Sequence, residues 1–211
     1  MTTLLRTLTF GLGLMAGLSA GYAQTTPAVT PPPADAAAAD NLSMGSSTNP
    51  GLPTQADAEV GKTYLAGNFD QWEQRCVKKA DGSDPCQLYQ LLKDGEGNDV
   101  AEISIFNLPD GAQAAAGATF MAPLETLLTA NLKIGVDGRQ PKVYPFAFCT
   151  KIGCLARLGL TAEEIAALKK GTTATLTIVP AVAPDKVVDL SLTLKGFTAG
   201  YEAVKTANTK K

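Results

Sequence analysis

Residues Thr173 to Val179 read Thr-Ala-Thr-Leu-Thr-Ile-Val, and residues Val188 to Lys195 read Val-Asp-Leu-Ser-Leu-Thr-Leu-Lys. In the first stretch Ala174, Leu176 and Ile178 alternate with threonines. In the second, Val188, Leu190, Leu192 and Leu194 alternate with Asp189, Ser191, Thr193 and Lys195. Successive side chains of a strand point to opposite faces, so each stretch predicts a strand with one apolar and one wet face. Pro184 and Asp185 between them supply a turn, which makes the pair an antiparallel hairpin.

Working outward, Ala101, Ile103 and Ile105 predict a third strand of the same kind. Leu132, Ile134 and Val136, the Asp137-Gly138 turn and a return arm from Val143 to Phe148 predict a second hairpin, with Pro145 suited to an edge or a bulge. Two short helical segments interrupt the alternation. Thr161 with Glu164 fits a capping box, Ile165 and Leu168 give an apolar stripe, and Gly171 after Lys169 and Lys170 is a stop. Phe197, Tyr201 and Val204 recur at helical spacing after Gly196, so the end of the domain folds back as a helical turn. The expected fold is all-β, an immunoglobulin-like β-sandwich with one or two short helices.

The ends of the 211-residue chain read differently. Arg6, the apolar run Leu8 to Leu18, and Gly21 and Ala23 before Gln24 make residues 1–23 a secretory signal peptide. The apolar run is shorter than the ~20 residues that span a bilayer. Residues 24–59 hold Pro27, the Pro31 to Pro33 run and Ala36 to Ala39, with no aromatic residue; such a segment offers too little to bury and reads as a Pro/Ala-rich linker. The folded domain is expected over 60–204, followed by a polar tail over 205–211. Arg6 is the only charged residue of the first 23, so a mature chain carries 17 basic against 20 acidic residues, a net charge of −3. Mild acidity without clustered cations argues against nucleic-acid binding.

The four cysteines, Cys76, Cys86, Cys149 and Cys154, allow three disulfide pairings. Two local bridges are expected, because Asp81 to Pro85 lies inside Cys76 and Cys86, and Lys151 to Gly153 lies inside Cys149 and Cys154, and both are turn-forming. Without any histidine partner, Cys149-x4-Cys154 is a poor zinc match, and no Cys-x-x-Cys redox motif is present.

The absence of histidine also excludes Ser-His-Asp and Cys-His catalysis. No phosphate-binding glycine loop follows a strand, and Gly95-Glu96-Gly97 reads as a loop. Glu163 with Glu164 belongs to a helix's first turn, where acidic residues meet the helix dipole favourably. Asp81 with Asp84 belongs to a turn, and lacks the ligand alternation of a calcium loop. No catalytic, metal or cofactor residue is therefore assigned. Trp72, the only tryptophan, stands four residues before Cys76 on the same alternating face and is expected to fill the core beside the disulfide.

Three segments together carry a family resemblance. Phe69-Asp70-Gln71-Trp72-Glu73-Gln74-Arg75-Cys76, then Cys86; Phe146-Ala147-Phe148-Cys149-Thr150 to Gly153-Cys154; and Leu192-Thr193-Leu194-Lys195-Gly196-Phe197-Thr198-Ala199. In combination they resemble the invasion-associated locus B family of bacterial envelope proteins, over about Tyr64 to Val204. The long Pro/Ala-rich tether departs from that pattern. The resemblance implies export to the periplasm or outer envelope, a sandwich-like fold and, for the namesake members, association with host-cell invasion; it implies no reaction and no cofactor.

The expected function is accordingly non-enzymatic: an exported envelope binding module whose disulfide-shaped loops engage a protein or envelope polymer, with no integral membrane segment after signal cleavage. A structural or chaperone-like envelope protein with an exposed sheet edge is the alternative, and a carboxylate-based cell-wall hydrolase the least supported.

Overall fold

The computed structural model describes residues 51–209. The signal peptide and most of the tether read from the sequence lie outside them. Eleven strands form one antiparallel sheet, β1 (Thr63–Phe69), β2 (Trp72–Val77), β3 (Cys86–Lys93), β4 (Asp99–Asn107), β5 (Ala116–Ala122), β6 (Leu132–Val136), β7 (Lys142–Tyr144), β8 (Phe146–Cys149), β9 (Cys154–Leu160), β10 (Thr173–Ile178) and β11 (Val188–Thr193). Two helices accompany it, α1 (Ala162–Lys170) and α2 (Phe197–Thr209).

The hairpin expected over Thr173 to Lys195 is present. In β10 and β11, Leu176 faces Leu190 and Ala174 faces Leu192, and all four are buried while the threonines and Asp189 line the other face. The second hairpin is present only in part. β6 turns at Asp137 and Gly138, both at positive φ, and pairs with β7. The return arm expected from Val143 to Phe148 is then split at Pro145, because Phe146 to Cys149 pairs with β9 instead. Proline has no N–H for a ladder, so it marks the change of partner.

That split governs the whole architecture. Along the path β7-β6-β10-β11-β3-β4-β5-β9-β8, β7 and β8 are the two extreme strands, yet only Pro145 separates them in the chain. The sheet must therefore curl until its ends nearly meet, and the expected sandwich takes the form of one sheet folded almost into a barrel. Its inner face carries Leu88, Leu92, Ile103, Ile105, Phe120, Leu158 and Leu176, all buried.

The helices follow their sequence signals. Thr161 Oγ1 accepts from the Glu164 amide at 3.2 Å while the Thr161 amide donates to Glu164 Oε2 at 2.8 Å, the expected capping box. Helix α2 runs further than expected. Residues from Lys205, read as a polar tail, continue it to Thr209, because Asn208 clasps β3: its amide takes the Cys86 N–H at 2.8 Å and donates to the Cys86 carbonyl at 3.0 Å. The other end of the domain also differs from expectation. Ala58 is buried and the Pro53 carbonyl accepts from the Leu65 amide at 2.9 Å, so the fold extends into the stretch read as linker.

Candidate interaction surface

Both local disulfides form, because each cysteine pair is in direct register across an antiparallel pair: Cys76 opposite Cys86 in β2 and β3, Cys149 opposite Cys154 in β8 and β9. Opposed residues share a face with their Cβ atoms close, so the backbone pairing itself brings the sulfurs together. The two bridges do not cooperate in one surface. Leu88 faces Ile105, which places Cys86 level with Asn107, and Asn107 faces Ala116; Cys154, in contrast, faces Ala122. Six residues of β5 separate those levels, which is roughly 20 Å along the strands. The expected binding surface made by both disulfide loops is therefore two surfaces, one at each end of the sheet.

At the Cys76–Cys86 end the loop between the two cysteines is polar and held by hydrogen bonds. Asp84 accepts from the Lys79 amide at 2.7 Å, from the Tyr64 hydroxyl at 2.8 Å and from Gln55 Nε2 at 3.0 Å. The Lys79 amide first, then Tyr64, hold the Asp84 carboxyl below its ordinary pKa. Burial, followed by the bond to Asp84, pushes the Tyr64 phenol up to about 12. Asp81 accepts from the Ser83 amide and hydroxyl in a local turn. Asp81 and Asp84 are thus engaged separately, and this loop is a built scaffold.

Glu163 and Glu164 are likewise not a facing pair. Glu164 receives Tyr144, Lys142 at 3.0 Å and the Thr161 amide, whereas Glu163 takes only the Thr161 hydroxyl at 3.3 Å. Among the described residues, no group of three or more Cys, Asp and Glu is arranged to hold a metal. Trp72 is fully buried as expected, and its aromatic neighbour is Phe197, with ring centroids 5.2 Å apart.

The Cys149–Cys154 end is different in character. Eight large hydrophobic side chains are exposed among the described residues, and six of them (Leu91, Leu124, Phe148, Ile152, Val182 and Val187) lie at or next to this end. Ile152 caps the disulfide loop, which the Thr150 amide closes by donating to the Gly153 carbonyl at 2.8 Å. The Leu124 carbonyl lies 3.9 Å from Cys154 Sγ. From there the rim continues into the β10–β11 connection: the Leu127 amide donates to Val179 and the Ala181 amide to Glu125, both at 2.7 Å. Three loops, 123–127, 149–154 and 179–187, thus adjoin in one rim, the first and third joined by hydrogen bonds and the first and second by the β5–β9 pairing, and exposed aliphatic side chains stand on each of them. Turns are ordinarily polar, so a lone aliphatic next to Pro123, Gly153, Pro180 or Asp185 was the available sequence signal; that these loops meet was not.

Two of the segments that carried the family resemblance meet at a single corner. On one edge of β3, β2 and β11 lie end to end: Glu73 faces Tyr89 on one side of the junction and Ser191 faces Lys93 on the other. Gln90 bridges the gap, its Oε1 taking the Thr193 amide at 3.0 Å and its Nε2 donating to the Thr193 carbonyl at 3.2 Å. Trp72, Lys195 and Gly196 complete the corner, with Lys195 Nζ 2.7 Å from Asp70 Oδ2. The third segment builds the β8–β9 hairpin. These motif residues hold the fold together.

Comparison with known proteins bears on that geometry. Residues 72–205, more than half of the chain, match the family model described as Invasion associated locus B (IalB) protein. Two invasion protein B homologs, from Brucella abortus strain 2308 and from Brucella abortus biovar 1 strain 9-941, are each 25 % identical over 146 residues, covering 69 % of this chain and 82 % of theirs. The crystal structure of invasion associated protein b from Bartonella henselae matches with a TM-score of 0.57 at 20 % identity, over 66 % of this chain and 94 % of that one, a likeness of fold. The corner built by Trp72, Gln90, Thr193 and Gly196 lies within the matched span, and the chain belongs to the invasion associated locus B protein family.

Proposed function

We propose that this protein is an exported component of the bacterial envelope that acts by contact and not by catalysis. The observation that carries this reading is the rim of exposed aliphatic side chains at the Cys149–Cys154 end, held by hydrogen bonds between loops 123–127 and 179–187, by the β5–β9 pairing and by a disulfide. Monomeric soluble domains seldom gather exposed apolar residues without a use for them. Residues 1–23 supply the export signal, and no helix among the described residues is long and apolar enough to cross a membrane. The names of the Brucella and Bartonella relatives support a link to host-cell invasion.

The test is site-specific photocrosslinking in intact cells from Ile152, compared with Lys79 at the opposite end. Crosslinks to one defined envelope component from Ile152 and none from Lys79 are expected. Equal capture from both positions, or none from Ile152, overturns the reading.

A further inference from the structure

The rim's chemistry narrows the component it touches. Leu124, Ile152, Val182 and Val187 are 55 %, 76 %, 80 % and 61 % exposed, and each tops its own part of the three-loop rim. Tips this exposed project into solvent, and the anchors of protein interfaces are drawn mostly from Trp, Tyr and Arg. No Trp, Tyr or Arg stands among the rim loops. The tips are also held before any partner arrives, by the Cys149–Cys154 bridge, the 2.7 Å bonds from Leu127 to Val179 and from Ala181 to Glu125, and the prolines at 123, 180 and 184. Little conformational freedom remains to be lost on docking.

Charge points the same way. The rim loops contain Glu125, Lys151, Asp185 and Lys186, two charges of each sign, and Asp185 lies 3.8 Å from Lys186. The neighbouring turn at this end adds Asp94 and Glu96, and the Lys93 beside it is paired with Asp99. An anionic partner surface would meet no net positive charge here. A surface that is apolar within and zwitterionic without is matched.

We infer that the rim formed by Leu124, Ile152, Val182 and Val187 docks on a lipid bilayer, seating its aliphatic tips at the boundary between headgroups and acyl chains. This rests on the contact reading above and replaces the protein or polymer expected from the sequence as the partner of this surface. Binding of this kind grows with the apolar area inserted and depends little on salt.

The experiment is co-sedimentation of the full chain with phosphatidylcholine vesicles, alone and with added phosphatidylglycerol, at low salt and at ~0.5 M salt. The wild-type chain is expected to sediment with phosphatidylcholine alone, to keep its bound fraction in salt, and to lose roughly tenfold in partition with Ile152→Asp or Val182→Asp. Both positions are exposed loop tips, and circular dichroism checks that each variant is folded. Absence of binding overturns the inference, as does binding that requires phosphatidylglycerol and disappears in salt, or binding unchanged in both variants. If vesicles are not bound but photocrosslinks from Ile152 identify a protein, the lipid assignment falls and the contact reading stands; if neither assay responds to rim substitutions, both fall.

Discussion

Trp72 Nε1 donates to the carbonyl oxygen of Thr193 at 2.8 Å, tying the first residue of β2 to the last residue of β11 across 121 residues of sequence. Gln90 serves the backbone of the same residue from β3 with both ends of its amide, so one backbone position gathers three strands.

Removing either donor should therefore weaken the junction, and removing both should not cost the sum. Gln90→Leu leaves the half-buried Thr193 amide without its partner and is expected to destabilise by about 2 kcal/mol. Trp72→Phe loses one bond and some packing against Phe197, for about 2 kcal/mol more. Because both serve the Thr193 carbonyl, urea denaturation of the double variant should show a coupling of about 1 kcal/mol. Strict additivity would argue that the two bonds are independent.

Gly196 turns the chain from β11 into α2 at a φ of 84°, and a Cβ there would overlap the carbonyl group of Phe69. The left-handed backbone and the close approach both call for glycine. Gly196→Ala should cost about 3 kcal/mol in thermal or chemical denaturation, well beyond the effect of Gly95→Ala on an open loop where an added Cβ meets nothing. Equal effects of the two would remove the corner's claim to structural importance.

Acid should unfold the protein partly through Asp84 and Asp137. The amides of Thr173 and Thr172 lower the Asp137 carboxyl, as the Lys79 amide and Tyr64 lower that of Asp84. A carboxyl whose pKa is lower in the folded than in the unfolded chain stabilises above the unfolded value of ~3.9, and that stability is lost as pH falls through the lowered folded value. Denaturant midpoints should drop below pH ~4, and the drop should be shallower in Asp84→Asn and Asp137→Asn.

Alkali acts with the opposite sign. Burial, with help from Asp84 and Glu102 respectively, pushes the Tyr64 and Tyr89 phenols up to about 12. Their contribution is present below the unfolded value of ~10 and is lost as pH rises from there through about 12. Burial raises the Tyr144 and Tyr201 phenols as well, so ultraviolet titration should show fewer tyrosinates forming near pH 10 in the native chain than in urea, with all four of these phenols delayed.

The disulfides should differ in consequence more than in energy. Each closes a short loop, and the chain-entropy account gives about 2 to 3 kcal/mol for either when both cysteines become alanine. The Cys149→Ala/Cys154→Ala variant should also impair rim binding to vesicles, since Ile152 sits inside that loop. The Cys76→Ala/Cys86→Ala variant should leave vesicle binding intact while losing comparable stability.

What the sequence determined by itself is local. Alternation over Thr173 to Val179 and Val188 to Lys195, the Thr161 and Glu164 cap, the Asp137-Gly138 turn and the two short-range cysteine pairs each depend on neighbours within a dozen or so residues. Period, turn chemistry and cap geometry act at that range, so they were legible. The tertiary structure alone decided three things. Pro145 hands the chain from one extreme strand to the other and curls the sheet. Antiparallel register sends the two disulfides to opposite ends. Packing brings loops 123–127, 149–154 and 179–187 into one rim. Each depends on which strands become neighbours, and alternation is the same for every pairing that buries the same face; only the burial of the whole core selects among them.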